Sequence, residues 1–379
     1  MSEAIESYWL AVPQAAIDDL HRRLDQTRWP ERELVADWSQ GAPLAKVQAL
    51  CEHWRERYDW RRCEARLNDL GQFKTSIDGL GIHFLHVRSP HPQALPLLIT
   101  HGWPGSVIEF MQVIGPLTDP VRYGGSADDA FHVIAPSLPG FGFSDKPSQT
   151  GWNVERIAAA WAELMARLGY GRWVAQGGDW GAMVTTAIGI AKPAGCAAVH
   201  VNMPVVAPRP EDLETLTPAE QASVAATKHY QEEESGYARL QSKRPQTVGY
   251  GLVDSPAGQA AWIYEKLSAW SDNAGAPEDV FSLDDMLDNI MLYWLPAAAA
   301  SSARLYWESF PSSRAGTVDL PTGVSIYPKE IFRPSRRWAE RRMTNIIHWN
   351  ELQQGGHFAA WEQPELFVRE LRECFAKVR

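Results

Sequence analysis

The stretch VAQGGDWGAMV, residues 174–184, sets Gly177 to Gly181 in the pattern Gly-x-Asp-x-Gly directly after the strand-like run RWVAQ and at the opening of a helix. Glycines on either side let the chain turn sharply and lift one side chain above a sheet, the geometry of a nucleophile elbow. The side chain lifted is Asp179, where an esterase would carry serine. A carboxyl of ordinary pKa near 3.9 is already an anion at neutral pH and needs no base before it attacks. Attack at a carbonyl gives an anhydride that reverts, but displacement at an sp³ carbon gives an ester. Taken alone, the same aspartate could equally cap the helix that follows.

Outward from this elbow the texture is that of an α/β chain. LPLLIT (95–100) is apolar throughout, as a central strand is, and AFHVIAPSL (130–138) is a second strand pattern. Between them and RWVAQ, Ile157, Trp161, Leu164 and Leu168 share one face of a helix from about Val154 to Leu168. FKTSID and IHFLHVRS flank the turn GLG as a hairpin, and strands alternating with helices imply a parallel sheet. The alternation breaks near Pro204, gives way to a helical region with the polar run KHYQEEESGYARLQSKRPQ, and resumes with TGVSIYP, IIHWNEL and a last helix holding Leu366, Val368 and Leu371. Before residue 73, Ile17, Leu20 and Leu24, then Leu44, Val47, Cys51, Trp54 and Tyr58, mark two amphipathic helices. The expected organisation is a helical meander (1–72), a first core part (73–204), a helical cap (205–312) and a second core part (313–379).

Two further strings belong with the elbow. LITHGWPGS (98–106) is a rigid turn at the end of an apolar strand, in the place where this architecture provides an oxyanion-hole amide; the donors expected are the backbone N–H groups of Trp103 and Trp180. QQGGHFAAWEQPE (353–365) sets His357 after a glycine pair and before the final helix. The order nucleophile, acid, histidine is that of α/β-hydrolases, so the fold expected is an α/β-hydrolase core, a mostly parallel central sheet flanked by helices, with a helical cap and an N-terminal helical extension. His101, Trp103, Pro104 and Trp180 are the expected pocket lining.

HGWPGS, GGDWG, IHFLHVRS, PSLPGFGFS and GGHFAAWEQPE, with the opening TRWPE…DWSQG, resemble the epoxide hydrolases of the microsomal type, and the likeness runs over nearly the whole chain. The resemblance implies an Asp nucleophile, a His base, a carboxylate and two cap tyrosines that bind the epoxide oxygen. By position these are Asp179, His357, Glu330 in YPKEIF, Tyr237 in EESGYARLQ and Tyr306 in SSARLYWE. Asp319 precedes the strand that Glu330 follows and so belongs to the other end of the sheet. Tyr230 and Tyr250 are not separated from the chosen tyrosines by anything intrinsic to the sequence. The reaction implied is hydrolysis of a hydrophobic epoxide to a vicinal diol, with water and no metal or organic cofactor; the family also makes a homodimer plausible.

Composition narrows the alternatives. The net charge of −10 is interspersed, which argues against a nucleic-acid or anionic-membrane surface. Cys51, Cys63, Cys196 and Cys374 lack metal-ligand spacing and read as reduced thiols; with Glu3 and Glu6 where a secretory leader carries positive charge, a cytoplasmic protein without a membrane anchor is expected. Of 17 Trp, Trp9, Trp29, Trp38, Trp54 and Trp60 lie in the meander and are expected to wedge it against the core. The rival readings are a haloalkane dehalogenase, which needs N–H donors for a departing halide in place of acidic hydroxyls, a non-catalytic ligand-binding relative, and an epoxide-opening cyclase.

Overall fold

The computed structural model describes residues 4–310 and 316–379, so Glu3 and the cap boundary expected at 312–313 lie outside the described residues. One sheet organises them. Its strands are β1 (Glu6–Ser7), β2 (Gln72–Ile77), β3 (Leu80–Val87), β4 (Leu95–Thr100), β5 (Phe131–Pro136), β6 (Trp173–Gly177), β7 (Cys196–Val201), β8 (Thr322–Ile326) and β9 (Ile346–Glu351). They run in the order β1-β2-β3-β5-β4-β6-β7-β8-β9, antiparallel as far as β5 and parallel from β5 to β9. This is the α/β-hydrolase arrangement. Parallel strands buried on both faces explain the apolar runs at 95–99 and 173–175.

Register carries function here. β4 pairs in parallel with β6, Thr100 opposite Gly177, so the HGWPG turn and the aspartate elbow leave the sheet side by side. Helix Val154–Arg167 locks that edge from behind, where the buried Trp161 indole donates to Thr100 Oγ1 at 3.1 Å.

Four details differ from the sequence reading. The hairpin turns at Asp78–Gly79, not at GLG, because those two residues supply the consecutive positive φ values, 51° and 76°, that a tight primed turn requires. CAAVHV forms the interior strand β7, whose small residues give little β signal. A third N-terminal helix, Trp60–Asp69, follows Gln14–Asp25 and Leu44–Glu56; Asp59 caps it by accepting from the Arg61 amide, and Trp60, Cys63 and Leu67 are its buried face. Finally, Trp54 and Trp60 are buried and Trp38 is packed on the core, but Trp9 is 74% exposed and Trp29 38%. Those two sit on irregular chain, off the apolar helix faces, and do not wedge the meander.

The cap consists of helices Pro218–His229, Gly236–Lys243, Pro245–Asp254, Pro256–Trp270, Leu283–Trp294 and Ala299–Ser309. Among the described residues no helix is long and apolar enough to cross a membrane.

Candidate active site

Asp179 opens the helix Asp179–Ala191 with φ +49°, a left-handed conformation that costs a non-glycine residue free energy and that the turn imposes. Two neighbouring glycines are required by contact. A β-carbon at Gly181 would lie 1.8 Å from the Thr100 carbonyl oxygen, and one at Gly102 would lie 2.1 Å from Asp179 Oδ1. The elbow and the HGWPG turn therefore interlock, and the Trp103 amide donates to Asp179 Oδ1 at 2.7 Å.

Across from that contact stands His357. Its Nε2 lies 3.5 Å from Asp179 Oδ2, and its Nδ1 donates to Glu330 Oε1 at 2.6 Å. Glu330 enters from just beyond β8, on a loop joined to the histidine loop by the Lys329–Gly356 bridge. Asp319, at the opposite end of β8, pairs with Lys192 away from the site. Glu330 and His357 are buried and Asp179 nearly so. Burial alone would keep the imidazole neutral, yet the charges of Glu330 and Asp179 and its hydrogen bonds to both raise the His357 pKa well above the ordinary value. The two neighbouring carboxylates thus favour the protonated imidazole.

The tyrosines come from the cap. Tyr237 stacks on Trp103 with ring centres 4.8 Å apart, and Tyr306 stands edge-on to Trp180 at the same separation; the two phenol rings are 5.8 Å apart. Burial first, with the negative field of neighbouring groups including Asp179, lifts both phenols well above 10, so each remains a proton carrier. Tyr306 Oη is buried, with Trp180 and Tyr237 as its polar neighbours. Tyr237 Oη exchanges a 2.9 Å hydrogen bond with Tyr230, so Tyr230 is a third phenol of this cluster, while Tyr250 is 72% exposed and set apart from it. The buried Lys266 places its ammonium 4.8 Å above the Tyr237 ring.

His101 and Pro104 are present but turned to support. His101 Nδ1 donates to the Gly102 carbonyl and Nε2 accepts from the Leu138 amide at 3.2 Å, so neither ring nitrogen is free for a ligand. The Pro104 carbonyl accepts from Asn289 Nδ2 and the Gly105 carbonyl from Tyr293 Oη, both on cap helix Leu283–Trp294. Asn289, Tyr293 and Trp270, whose ring lies 5.0 Å from His357, escaped the sequence reading. For Asn289 the signal available was an amide directly before the apolar run IMLYW (290–294). Metal-like clustering among the described residues occurs at His348, Glu370 and Glu373, outside this site, where Glu370 is already engaged by His348, Ser325 and Asn350.

Known proteins share this chain's sequence and fold. Residues 5–110 match the family described as epoxide hydrolase N terminus, and residues 96–252 match the alpha/beta hydrolase fold. A protein of Stigmatella aurantiaca, provisionally named an epoxide hydrolase, is 61% identical over 99% of this chain and 86% of its own. Epoxide hydrolase 1 of Sus scrofa is 35% identical over 98% of this chain and 88% of its own. The chain belongs to the microsomal-type epoxide hydrolase family. This epoxide hydrolase shares its whole fold with solved members. The juvenile hormone epoxide hydrolase of the silkworm Bombyx mori superposes with a TM-score of 0.92 at 31% identity, over 100% of this chain and 95% of that one. The Aspergillus niger epoxide hydrolase gives 0.90 at 30%, over 100% and 97%.

Proposed function

We propose that this epoxide hydrolase converts a hydrophobic epoxide to a vicinal diol through a covalent ester on Asp179. What carries the reading is the double engagement of one strained carboxylate: Oδ1 on the Trp103 amide, Oδ2 facing His357, beneath two buried phenols. In the first half-reaction Asp179 attacks an epoxide carbon, the ring C–O bond breaks, and Tyr237 or Tyr306 donates a proton to the departing oxygen. The tyrosinate then recovers a proton from His357. Ester formation has removed the charge of Asp179, one of the two anions that kept His357 protonated, so the imidazole becomes a base when one is needed.

In the second half water gives a proton to His357 and bonds to the Asp179 carbonyl carbon, with the Trp103 and Trp180 amides holding the oxyanion. Collapse breaks the ester C–O bond, the diol alkoxide takes the proton from His357, and the Asp179 acid returns its proton to the imidazole. Glu330 fixes the tautomer and stabilises the imidazolium. The aromatic wall of Trp103, Trp180, Tyr237 and Tyr306 suits a hydrophobic substrate.

A single turnover in ¹⁸O water tests the path. The expected outcome is an unlabelled diol with label in the Asp179 carboxylate; label in the first-turnover diol would exclude the ester. Aryl, alkyl and polycyclic epoxides, with Asp179→Ala as the blank, define the substrate.

A further inference from the structure

A second carboxyl beside the triad has no part in the reaction as written. Glu109 lies in the turn Val107–Phe110 that follows HGWPG and folds back against Gly105, where a β-carbon would fall 1.4 Å from Glu109 Oε1. The glycine thus makes room for the carboxyl. With His101, Gln176, Asp179, Asn202 and His357, Glu109 lines a cavity of about 20 Å³, room for one water molecule.

The polar groups around this cavity are unevenly satisfied. His101 has both ring nitrogens bonded, and Asn202 Oδ1 accepts from Gln176 Nε2 at 2.9 Å. Gln176 Oε1, on a side chain 1% exposed, has no partner, and the Glu109 carboxyl makes no hydrogen bond to the described residues. A buried water is stable with two to four polar partners, and this cavity offers them next to the atom that water must attack.

We propose that the Glu109 carboxyl, together with His357, holds the water that cleaves the Asp179 ester. One water hydrogen points to His357 Nε2 and is the proton transferred; the other is accepted by the Glu109 carbonyl oxygen, which takes no proton. A lone pair is then left facing the ester carbon, and the bond that forms and the bond that breaks are those of the hydrolytic half-reaction above. Burial, opposed by His357 and reinforced by Asp179, Glu362 and Glu330, pushes the Glu109 carboxyl up to about 8, so at neutral pH it is an acid that can both accept and donate. Glu109 is a positioning residue, acting through the water.

The inference rests on the ester mechanism, and two variants separate their failures. With styrene oxide as the probe, Glu109→Ala is expected to lower kcat about tenfold or more and to leave kcat/KM within about twofold, because only the second half-reaction slows. KM falls with kcat, and intact-protein mass shows the Asp179 adduct accumulating, as it does in His357→Ala. Glu109→Gln, which keeps an acceptor oxygen, is expected to retain most of the wild-type kcat. Equal losses in kcat and kcat/KM, no change in either, or a Gln variant as slow as the Ala variant would overturn the role of Glu109. Absence of an adduct in His357→Ala would overturn the ester mechanism itself.

Discussion

In the proposed reaction Asp179, His357 and Glu330 divide the chemistry at the scale of single residues, and each division can be measured. Glu330 is the largest cause raising the His357 pKa, so Glu330→Gln lowers it. The expected result is an acid limb of the single-turnover ester-hydrolysis profile displaced to lower pH, with a maximum rate reduced by about 10² or more as the imidazole loses its orienting partner. Tyr306→Phe and Tyr237→Phe should act on the other half-reaction, each lowering the alkylation rate about tenfold to a hundredfold, with the double variant inactive. Rapid-mixing fluorescence can follow this step, because Trp103 packs against both phenols and Trp180 against Tyr306. Residues at the sheet end were legible in the sequence, since glycines and chain order mark where strands stop: Asp179 between Gly177 and Gly181, His357 after Gly355 and Gly356, Glu330 beyond β8. Trp270 and Glu109 were not, and Tyr230 was named without being told apart from Tyr237 and Tyr306. Their positions are set by how the cap packs and how one turn folds back on Gly105, and neither leaves a periodic trace.

Among the elements, the final helix Pro364–Phe375 was recognised from its apolar positions, yet its anchor is polar. Glu370, 1% exposed, accepts from His348 at 2.8 Å, Ser325 at 2.9 Å and Asn350 at 2.8 Å, joining the helix to β8 and β9. Burial opposes the charge, but these three hydrogen bonds outweigh it and hold the carboxyl at about 2, below its ordinary 4.5. A carboxyl depressed in the folded state stabilises fully above the unfolded value and progressively less as pH falls towards the folded one. The stability that Glu370 supplies, of order 2 kcal/mol, is therefore lost between about pH 4.5 and 2. Urea unfolding should show a shallower acid dependence over that window in Glu370→Gln than in the parent enzyme. The sequence could not disclose this anchor, because a glutamate inside an amphipathic helix ordinarily marks the solvent face.

Over the whole molecule, the N-terminal meander is fastened to the cap by several ion pairs, and the most buried carboxylate among them is Asp288. Asp288, on cap helix Leu283–Trp294, is 1% exposed and accepts from Arg62 Nη2 at 2.8 and 2.9 Å and from Tyr58 Oη at 2.8 Å, while His53 meets Asp284 one turn earlier. The next residue, Asn289, holds the Pro104 carbonyl, so the fastening reaches the turn that bears the Trp103 amide. Burial lifts the Asp288 carboxyl to about 6 despite Tyr58 and Arg62, which means that desolvation of its charge outweighs what these partners return. Removing only the acceptor strands two donors: Asp288→Ala is expected to cost about 2 kcal/mol, the low end for a buried pair because Arg62 keeps solvent contact. Replacing both members, Asp288→Leu with Arg62→Met, should restore most of that stability, since apolar substitutes avoid the desolvation. Denaturant unfolding of the two variants measures the difference. If the pair serves chiefly to hold the cap helix in register over the HGWPG turn, kcat/KM for epoxide opening stays low in the double variant even where stability returns; recovery of both together would mean that packing alone sets the position of the turn.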